Sequence, residues 1–445
     1  MDIVVCFALF LAAMLFCLVK DFSLAWALLF ALVLFFALGL RRGYGAKALV
    51  KMAWSKMPKS MIVLRILFFI GLLTGLWRSC GTIAFFIYHG IRVITPSLFI
   101  LVAFLLTVLL SYALGTSFGV ASTAGVVLMA LARSGGVSEA VTAGVILSGI
   151  YFGDRGAPTS SCASLVAALT ETDLYGNVRR MFQTAALPYA LCLIAYTVLS
   201  FRNPIVTVDE TMLDALAESF VISPWALVPA LIMLVLPLMR VPIRTAMAIS
   251  AALSFFFTVT IQGGGVFDTL RVMILGYHPT EGVLASVISG GGLIGMKTPL
   301  LMIPLAAFYT GILDGTDVLK PAQALLQRVS DRIGRFPAMV LLSIPASMVL
   351  CNQTIVVMIE HELVGAVYAR DGAEHEEFAM DIANSGVLIA GLIPWCIACS
   401  VPLSALEVSA AAVPYACLLY LIPLCYLFTK RFFFPAKSKG SETPV

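Results

Sequence analysis

Long apolar runs, separated by short polar junctions, extend along almost the whole chain. A helix needs about 20 predominantly apolar residues to cross the hydrocarbon core of a bilayer. Runs that approach this length lie at 3–19, 22–40, 61–78, 97–114, 183–200, 224–239, 243–261, 337–350, 384–400 and 409–428. Five further runs contain Gly, Ser, Thr or Pro and are expected to be half-helices, re-entrant segments or full spans, at 116–132, 137–153, 160–170, 282–296 and 299–313. We predict an all-α membrane protein with about ten to thirteen transmembrane helices, some of them broken or re-entrant.

Composition supports a lipid environment. Hydrophobic residues make up 61% of the chain and charged residues 12%, whereas soluble domains are about 45–50% apolar and about 25% charged. The bilayer is therefore the expected partner of most of the surface. The net charge of +4 is spread over many junctions, so a nucleic-acid footprint is not expected. Cys396 and Cys399 form a single C-x-x-C with no second pair nearby, so we expect neither a metal centre nor any cofactor.

Basic residues set the predicted orientation. The segment 41–59 contains six Lys and Arg residues and no acidic residue, and such loops face the cytoplasm. The tail is basic as well, through Lys430, Arg431, Lys437 and Lys439. Both termini are therefore expected to be cytoplasmic, which implies an even number of crossings. The N-terminus lacks the basic region of a signal peptide, so we predict a retained first helix and a multi-pass protein of a bacterial inner membrane.

Short motifs recur at a nearly constant offset. Thr-Gly pairs differ by 311 − 75 = 236 and Ser-Gly pairs by 386 − 149 = 237, with further matches between Pro158 and Pro394 and between Cys162 and Cys399. Secondary transporters are commonly built from two internal repeats whose interface holds the site. We predict two such repeats, inverted in topology, and divide the chain into an N-terminal two-helix element with a basic connection (1–60), repeat 1 (61–175), linking helices (176–298), repeat 2 (299–411), and a last helix with a basic tail (412–445).

The first polar cluster inside an apolar run is Gly115-Thr116-Ser117-Phe118-Gly119. Two glycines loosen a helix, and hydroxyl groups can satisfy the freed backbone groups or ligate a cation. Gly115 and Gly119 are therefore predicted helix breaks, and Thr116 and Ser117 are candidate ligands. Close packing of helices through small residues is the alternative.

The second cluster, 153–162, contains Gly, Pro and hydroxyl residues together with Asp154 and Arg155. Gly153 and Pro158 are predicted to unwind the chain. A carboxylate at membrane depth is costly and usually functional, and Asp154 can hold Na⁺ when ionised or a proton when neutral. Arg155 is a candidate to keep Asp154 ionised or to bind an anionic solute, and Ser160 and Ser161 add hydroxyl ligands. A solvated interfacial loop is the alternative.

Counterparts of both clusters lie in the second half. The sequence Asn352-Gln353-Thr354 offers amide and hydroxyl groups, and Ser385 precedes a predicted break at Pro394. Interhelical hydrogen bonds, worth about 0.6–2 kcal/mol each, are the alternative. The segments Glu360–Glu362 and Arg370–Asp381 are predicted to form an aqueous loop, and Lys320–Arg335 a solvated amphipathic connection.

At these residues the chain resembles the NhaC family of Na⁺/H⁺ antiporters. The matching segments run in family order over most of residues 60–425: Gly115–Gly119, Ser148–Arg155 with Pro158 and Ser160, Asp173-Leu174 with Arg179, Gly290–Leu293, and Ser385-Gly386 with Ile393-Pro394-Trp395. The resemblance implies an electrochemically driven antiporter with two repeats whose broken helices meet at a central site. It also implies that Asp154 is the acidic residue of that site.

Three positions depart from the family pattern. Arg155 stands where the family usually has Lys, Ser161 where it tends to have Asp, and Cys351-Asn352 where it tends to have Gly-Asp. Ser and Asn still ligate Na⁺ through oxygen, but they carry no proton and no countercharge. The family also includes exchangers of organic acids, and a guanidinium beside hydroxyl groups suits a carboxylate.

Two functions therefore follow from the sequence. The leading hypothesis is Na⁺/H⁺ antiport, with Asp154 as a shared, tentative Na⁺ and proton site. The alternative is Na⁺- or H⁺-coupled transport of a small organic acid or amino acid through Arg155 and the hydroxyl and amide groups. A membrane enzyme or an assembly factor is disfavoured, since the chain contains no recognisable nucleophile constellation and no sizeable aqueous domain. The transported species, the stoichiometry and the choice between a monomer and a homodimer stay open.

Overall fold

A computed structural model describes residues 2–20, 22–93, 96–205, 210–279, 283–316 and 320–434. Lys437 and Lys439, which contribute to the predicted orientation of the tail, lie outside these ranges. The described chain is helical, in the order α1 (Asp2–Val19), α2 (Leu24–Arg41), α3 (Ala46–Ser55), α4 (Met57–Ser79), α5 (Thr82–Val93), α6 (Phe99–Leu114), α7 (Ser117–Val120), α8 (Val126–Ser134), α9 (Glu139–Gly156), α10 (Ser161–Leu169), α11 (Leu174–Arg202), α12 (Glu210–Ser219), α13 (Val228–Leu238), α14 (Ile243–Thr260), α15 (Val266–Leu275), α16 (Val283–Ile288), α17 (Gly292–Gly295), α18 (Lys297–Gly315), α19 (Lys320–Ile333), α20 (Arg335–Leu350), α21 (Gln353–Arg370), α22 (His375–Asn384), α23 (Gly386–Ile389), α24 (Ile397–Ala405) and α25 (Cys417–Phe433).

Shorter irregular turns link these helices. A π-helical turn joins α7 to α8, and 3₁₀ turns complete the set, at Ala121–Gly125 and at Pro96–Leu98, Pro224–Leu227, Ala390–Leu392 and Ala410–Tyr415. Apart from one bridge between Tyr277 and Gly290, no β pairing occurs within the described ranges. The prediction of an all-α chain is confirmed.

Six described helices are long and apolar enough to cross a membrane, or up to eight if each of two bent pairs counts as one span. The six are Leu24–Arg41, Ser60–Ser79, Ser117–Ser134, Leu174–Arg202, Ile243–Thr260 and Lys297–Gly315. The predicted ten to thirteen crossings exceed this count for a physical reason. Three apolar helices are shorter than a span, at Val5–Val19, Phe99–Leu114 and Arg335–Leu350. The run 282–296 is interrupted at Gly290–Gly292, where all three residues have positive φ.

The two bent pairs are broken spans or re-entrant segments. One joins Leu213–Ser219 to Pro224–Leu238 at 98°, and the other joins His375–Leu392 to Ile397–Ala405 at 51°. The second pair contains Pro394 in its break, as predicted. Proline cannot donate the backbone hydrogen bond that continues a helix, so the chain turns there.

Helix boundaries recur along the chain at one offset. Helix α20 begins 335 − 99 = 236 residues after α6 and ends 350 − 114 = 236 residues after it. The same offset relates the ends of α4 and α18, the starts of α9 and α22, and both ends of α10 and α24. Two turns between these helices match as well, since Gly136 and Gly372 have φ of 65° and 60°.

Helices α4 and α18 run in opposite directions. Lys56, just before α4, forms a 2.6 Å ion pair with Asp314 near the end of α18. At the other end of α4, a guanidinium nitrogen of Arg78 would lie 2.8 Å from a Cβ added to Gly291, shortly before α18 begins. The start of one helix therefore lies beside the end of the other.

The predicted aqueous loop after residue 359 is wrong. Helix α21 continues to Arg370 and α22 begins at His375, so only a short turn separates them. Glu360 and Asp381 are both fully buried. Acidic residues in these two helices therefore face the protein interior rather than water.

Candidate functional site

The first break separates α6 from α7. Gly115 has φ 65° and ψ 27°, and Thr116 is extended and accepts a hydrogen bond from Gly119 N through its side chain. A Cβ on Gly115 would lie 2.3 Å from Thr159 Oγ1. Glycine is required here both for the left-handed backbone and for the close approach of the second break. Gly119 lies in the first turn of α7, so its prediction as a helix break is wrong.

The third break has almost the same geometry. Cys351 has φ 52° and ψ 16°, and Asn352 is extended and caps α21 by accepting from Ile355 N. Thr116 has φ −143° and ψ 119°, and Asn352 has φ −144° and ψ 114°. In each half a helix ends, turns through one left-handed residue and restarts behind a capping side chain.

The second break is shorter than predicted. Helix α9 continues through Asp154 to Gly156, and Ser160 caps α10 by accepting from the amides of Cys162 and Ala163. Gly153 is helical, so its prediction as a break is wrong. A Cβ on Gly153 would lie 2.0 Å from the Ser111 carbonyl carbon. This glycine therefore allows α9 to pack closely against α6, while Pro158 lies in the break itself.

The fourth break lies between the 3₁₀ turn at Ala390–Leu392 and α24, and it contains Pro394. Cys396 precedes α24 with φ −70° and ψ 140°, close to the φ −73° and ψ 130° of Ser160 before α10. Ile397 N donates to Cys351 O at 2.9 Å. The third and fourth breaks therefore contact each other, as the first and second do.

A cavity of about 1160 Å³ lies where these breaks converge. Seven of the ten predicted binding residues line it, together with Gly115 and Pro158: Asp154, Thr116, Ser117, Ser161, Asn352, Gln353 and Thr354. The cavity extends to the start of α4 and the end of α13, where Lys56 and Arg240 line it. Helix ends at the first and third breaks also line the cavity, so backbone amides and carbonyls supply further polar groups.

Asp154 is the carboxylate of this cavity. Its side chain is 7% exposed, so the alternative of a solvated loop is excluded. Gln353 Nε2 lies 3.4 Å from Asp154 Oδ2 and donates to Val387 O at 2.8 Å. Ser117 presents its backbone amide and its hydroxyl to the same carboxylate. Residues from both halves of the chain therefore surround one acid.

Arg155 points away from the cavity. Its guanidinium donates to Met181 O at 3.0 Å, to Thr184 Oγ1 at 2.8 Å and, through Nε, to Asn384 Oδ1 at 3.0 Å. It makes no ion pair with Asp154. Its nitrogens join α9 to α11 and α22, so the described contacts make Arg155 a structural link between helices.

Two other predicted ligands do not line the cavity. The Ser160 hydroxyl donates to Asp154 O as well as capping α10. The Ser385 hydroxyl donates to Asp381 O at 2.6 Å within α22. Both hydroxyl groups are engaged in local backbone contacts.

Several residues near the site were not predicted. Thr310 lines the cavity, and the repeated Thr-Gly pair was a signal for it. Arg240 also lines the cavity, beyond the end of α13 in a left-handed conformation with φ 65°. Glu360 lies seven residues after Gln353, which places the two side chains on the same face of α21.

Comparison with known proteins gives the class of this arrangement. The model of the Na⁺/H⁺ antiporter family matches residues 149–430. The chain is 27% identical over 402 residues to the malate-2H⁺/Na⁺-lactate antiporter of Bacillus subtilis, covering 88% of this chain and 86% of that one. It is 22% identical over 389 residues to the Na⁺/H⁺ antiporter NhaC of Alkalihalophilus pseudofirmus, covering 84% of each.

A third relative acts on a different solute. The arginine/ornithine antiporter ArcD of Halobacterium salinarum is 28% identical over 277 residues, which are 60% of this chain and 57% of that one. The family match covers more than half of the chain and includes the second, third and fourth breaks. This protein is therefore a multi-pass membrane transporter rather than an enzyme, and it belongs to the Na⁺/H⁺ antiporter family.

Proposed function

We propose that the protein exchanges Na⁺ for H⁺, with Asp154 as the group that binds either ion in turn. The observation that carries the proposal is the convergence of four helix breaks on a cavity with one buried carboxylate. Na⁺ bound to the ionised carboxylate excludes the proton, and the proton neutralises the charge that Na⁺ requires. Exclusive occupancy of one group is the minimum chemistry of an antiporter.

Neutral oxygens complete the proposed Na⁺ site. Hard cations prefer carboxylate, carbonyl and hydroxyl oxygens. Thr116 and Ser117 come from the first break and Asn352 and Gln353 from the third, and all four line the cavity beside Asp154. Unwound backbone and helix C-termini at the same breaks offer carbonyl oxygens, which is the arrangement that transporters use for coupling ions.

We propose that the two halves are inverted repeats, approximately 61–175 and 299–411. The constant offset of 236 residues and the antiparallel course of α4 and α18 support this arrangement. Ser138 before α9 and Glu374 before α22 occupy matching, exposed positions. Cysteines introduced at these two positions in a cysteine-free chain are expected to react with an impermeant thiol reagent from opposite sides. Reaction from the same side would contradict inversion.

The direct test of transport uses purified protein in liposomes that hold a pH gradient. Addition of Na⁺ is expected to dissipate the gradient in the wild type, and Asp154→Asn is expected to abolish the response. Asp268→Asn is the matched control because Asp268 is exposed and does not line the cavity. Na⁺-dependent dissipation that survives Asp154→Asn would contradict the assignment.

The alternative is coupled transport of a small organic acid or amino acid. Its support is the size of the cavity, which exceeds the need of a bare cation, and the guanidinium of Arg240 within it. Arg240 makes no ion pair with a described residue, whereas Arg155 is fully engaged. Relatives that exchange malate for lactate and arginine for ornithine show that similar chains carry such solutes. If labelled carboxylic acids exchange while Na⁺ alone does not dissipate the gradient, this function replaces Na⁺/H⁺ antiport.

The proposed setting is a bacterial inner membrane with both termini in the cytoplasm. Lys56 lines the cavity and belongs to the basic segment 41–59, so the cavity is expected to open to the cytoplasm. A homodimer stays open as an assembly.

A further inference from the structure

Glu360 is a fully buried acid outside the cavity, in the middle of α21. One carboxyl oxygen accepts a hydrogen bond from the Ser343 hydroxyl of α20. The other, Oε2, has no hydrogen-bond partner among the described residues. A Cβ added to Gly386 of α23 would lie 2.3 Å from this oxygen, so only glycine at 386 leaves room for the carboxyl group.

The surroundings of Glu360 disfavour a charge. Its neighbours on α21 belong to a buried apolar cluster that includes Val356, Val357 and Leu363. The groups that face it are the Ser343 hydroxyl, the Gly386 backbone and, from α10, the Cys162 thiol. No lysine or arginine in the described chain pairs with it. An ionised carboxylate without a partner is expensive in such a place, so the neutral acid is favoured.

Asp381 gives an internal comparison. It is as deeply buried as Glu360, but it forms an ion pair with Lys430 and accepts a hydrogen bond from the Tyr368 hydroxyl. The same region therefore provides a cation for a buried acid that is ionised. Glu360 has none, which distinguishes a carboxyl group that holds a proton from one that holds a fixed charge.

Contacts connect Glu360 to the cavity. Gln353 touches Asp154 and donates to Val387 O, and Gly386, the next residue, packs against Glu360. Cys162 lines the cavity and lies within electrostatic range of both carboxyl groups. A change at Asp154 therefore reaches Glu360 through one side chain and one turn of backbone.

We propose that Glu360 is a second proton-binding site, which takes up a proton distinct from the one that competes at Asp154. Glu360 is protonated while its carboxyl group is enclosed between α20 and α23, as in this structure. Movement of the turn at Ser385–Val387 exposes it to water and releases the proton, leaving a carboxylate that is reloaded in the next cycle. The inference extends the proposed function, because it adds a proton to each transport cycle.

Infrared difference spectroscopy tests the protonation itself, without any need for transport. Purified wild type, Asp154→Asn, Glu360→Gln and Glu362→Gln are compared across a pH titration. Two protonated carboxyl bands are expected in the wild type, one absent in Asp154→Asn and the other absent in Glu360→Gln. Glu362 is exposed on the same helix, so Glu362→Gln should leave both bands in place. An unchanged carboxyl region in Glu360→Gln overturns the proposal.

The proton count per cycle tests its consequence. In liposomes, the ion gradients at which net flux reverses give the number of protons per exchanged substrate. Glu360→Gln is expected to lower that number by about one relative to wild type and Glu362→Gln. An unchanged count in an active Glu360→Gln protein overturns the proposal. If Na⁺ drives no exchange but the Glu360 band is present, the proposed Na⁺/H⁺ antiport fails and the Glu360 site stands.

Discussion

The two ends of the molecule carry the same backbone feature in opposite surroundings. Glu171 follows α10 and Glu407 follows α24, at the repeat offset of 407 − 171 = 236, with φ of 54° and 59°. Glu407 accepts hydrogen bonds from Arg78 at 2.8 Å, from Arg133 at 3.3 Å and from Gly291 N at 2.6 Å. Glu171 is exposed and forms no ion pair with a described residue.

The difference explains why the cavity reaches one end only. Met358 lines both the central cavity and the groove that contains Glu171. At the other end, Glu407 joins α4, α8 and the segment before α17, and Arg78 is 4% exposed. Two halves with the same backbone plan therefore differ in charge pairing, and the paired end is the closed one.

Glu407→Gln is expected to have the largest effect on this comparison. Removing one partner of a buried ion pair costs about 3–5 kcal/mol because the other charge stays buried. In a cysteine-free chain with Thr354→Cys in the cavity, the variant is expected to allow labelling from the Glu407 end, which the parent prevents. Glu171→Gln is the matched control and should not change labelling from that end. Equal labelling with and without Glu407→Gln would show that this cluster does not close the cavity.

Gly115→Ala is expected to have the next largest effect. The new Cβ would lie 2.3 Å from Thr159 Oγ1, and a left-handed backbone adds about 1–2 kcal/mol for a residue with a side chain. Overpacking adds about 1–3 kcal/mol, so a clear drop in Tm and loss of flux are expected. The counterpart change, Cys351→Gly, relieves a left-handed residue but loses the contact of Sγ with the Tyr309 hydroxyl. Its Tm should change little, and equal Tm losses in both variants would contradict the account.

Thr116→Ala and Asn352→Ala are expected to have smaller effects on stability. Each removes a side chain that caps a helix at the site, and such losses typically cost about 1 kcal/mol. Because both residues line the cavity, Na⁺ affinity should fall more than Tm does. Calorimetric titration beside thermal unfolding would measure both quantities. A large Tm loss with unchanged affinity would make the two side chains structural only.

The sequence predicted the breaks best where the signal was local. Gly115, Asn352 and Pro394 each have a direct backbone consequence, through a left-handed turn, a cap or a missing amide. Gly153 carries the same residue type and was predicted wrongly. Its role depends on Ser111, 42 residues earlier, and a glycine in a helix gives no local sign that distinguishes close packing from a break.

Burial of charged groups was the least predictable feature. Glu360 lies beside His361 and Glu362, which is typical of an exposed segment, yet its neighbours Ser343 and Gly386 come from other helices. Arg155 was assigned to the site because it follows Asp154. Successive residues on a helix point about 100° apart, so the two side chains face different neighbours.

The central claim is that Na⁺ and a proton compete for Asp154. Equilibrium binding of radioactive Na⁺ to the purified protein, measured from acidic to alkaline pH, tests it directly. The apparent Na⁺ affinity of the wild type is expected to rise as pH rises, because loss of the proton frees the carboxylate. Asp154→Asn is expected to bind Na⁺ weakly and with little pH dependence. An Asp154→Asn protein that keeps the wild-type affinity and pH dependence would contradict the account.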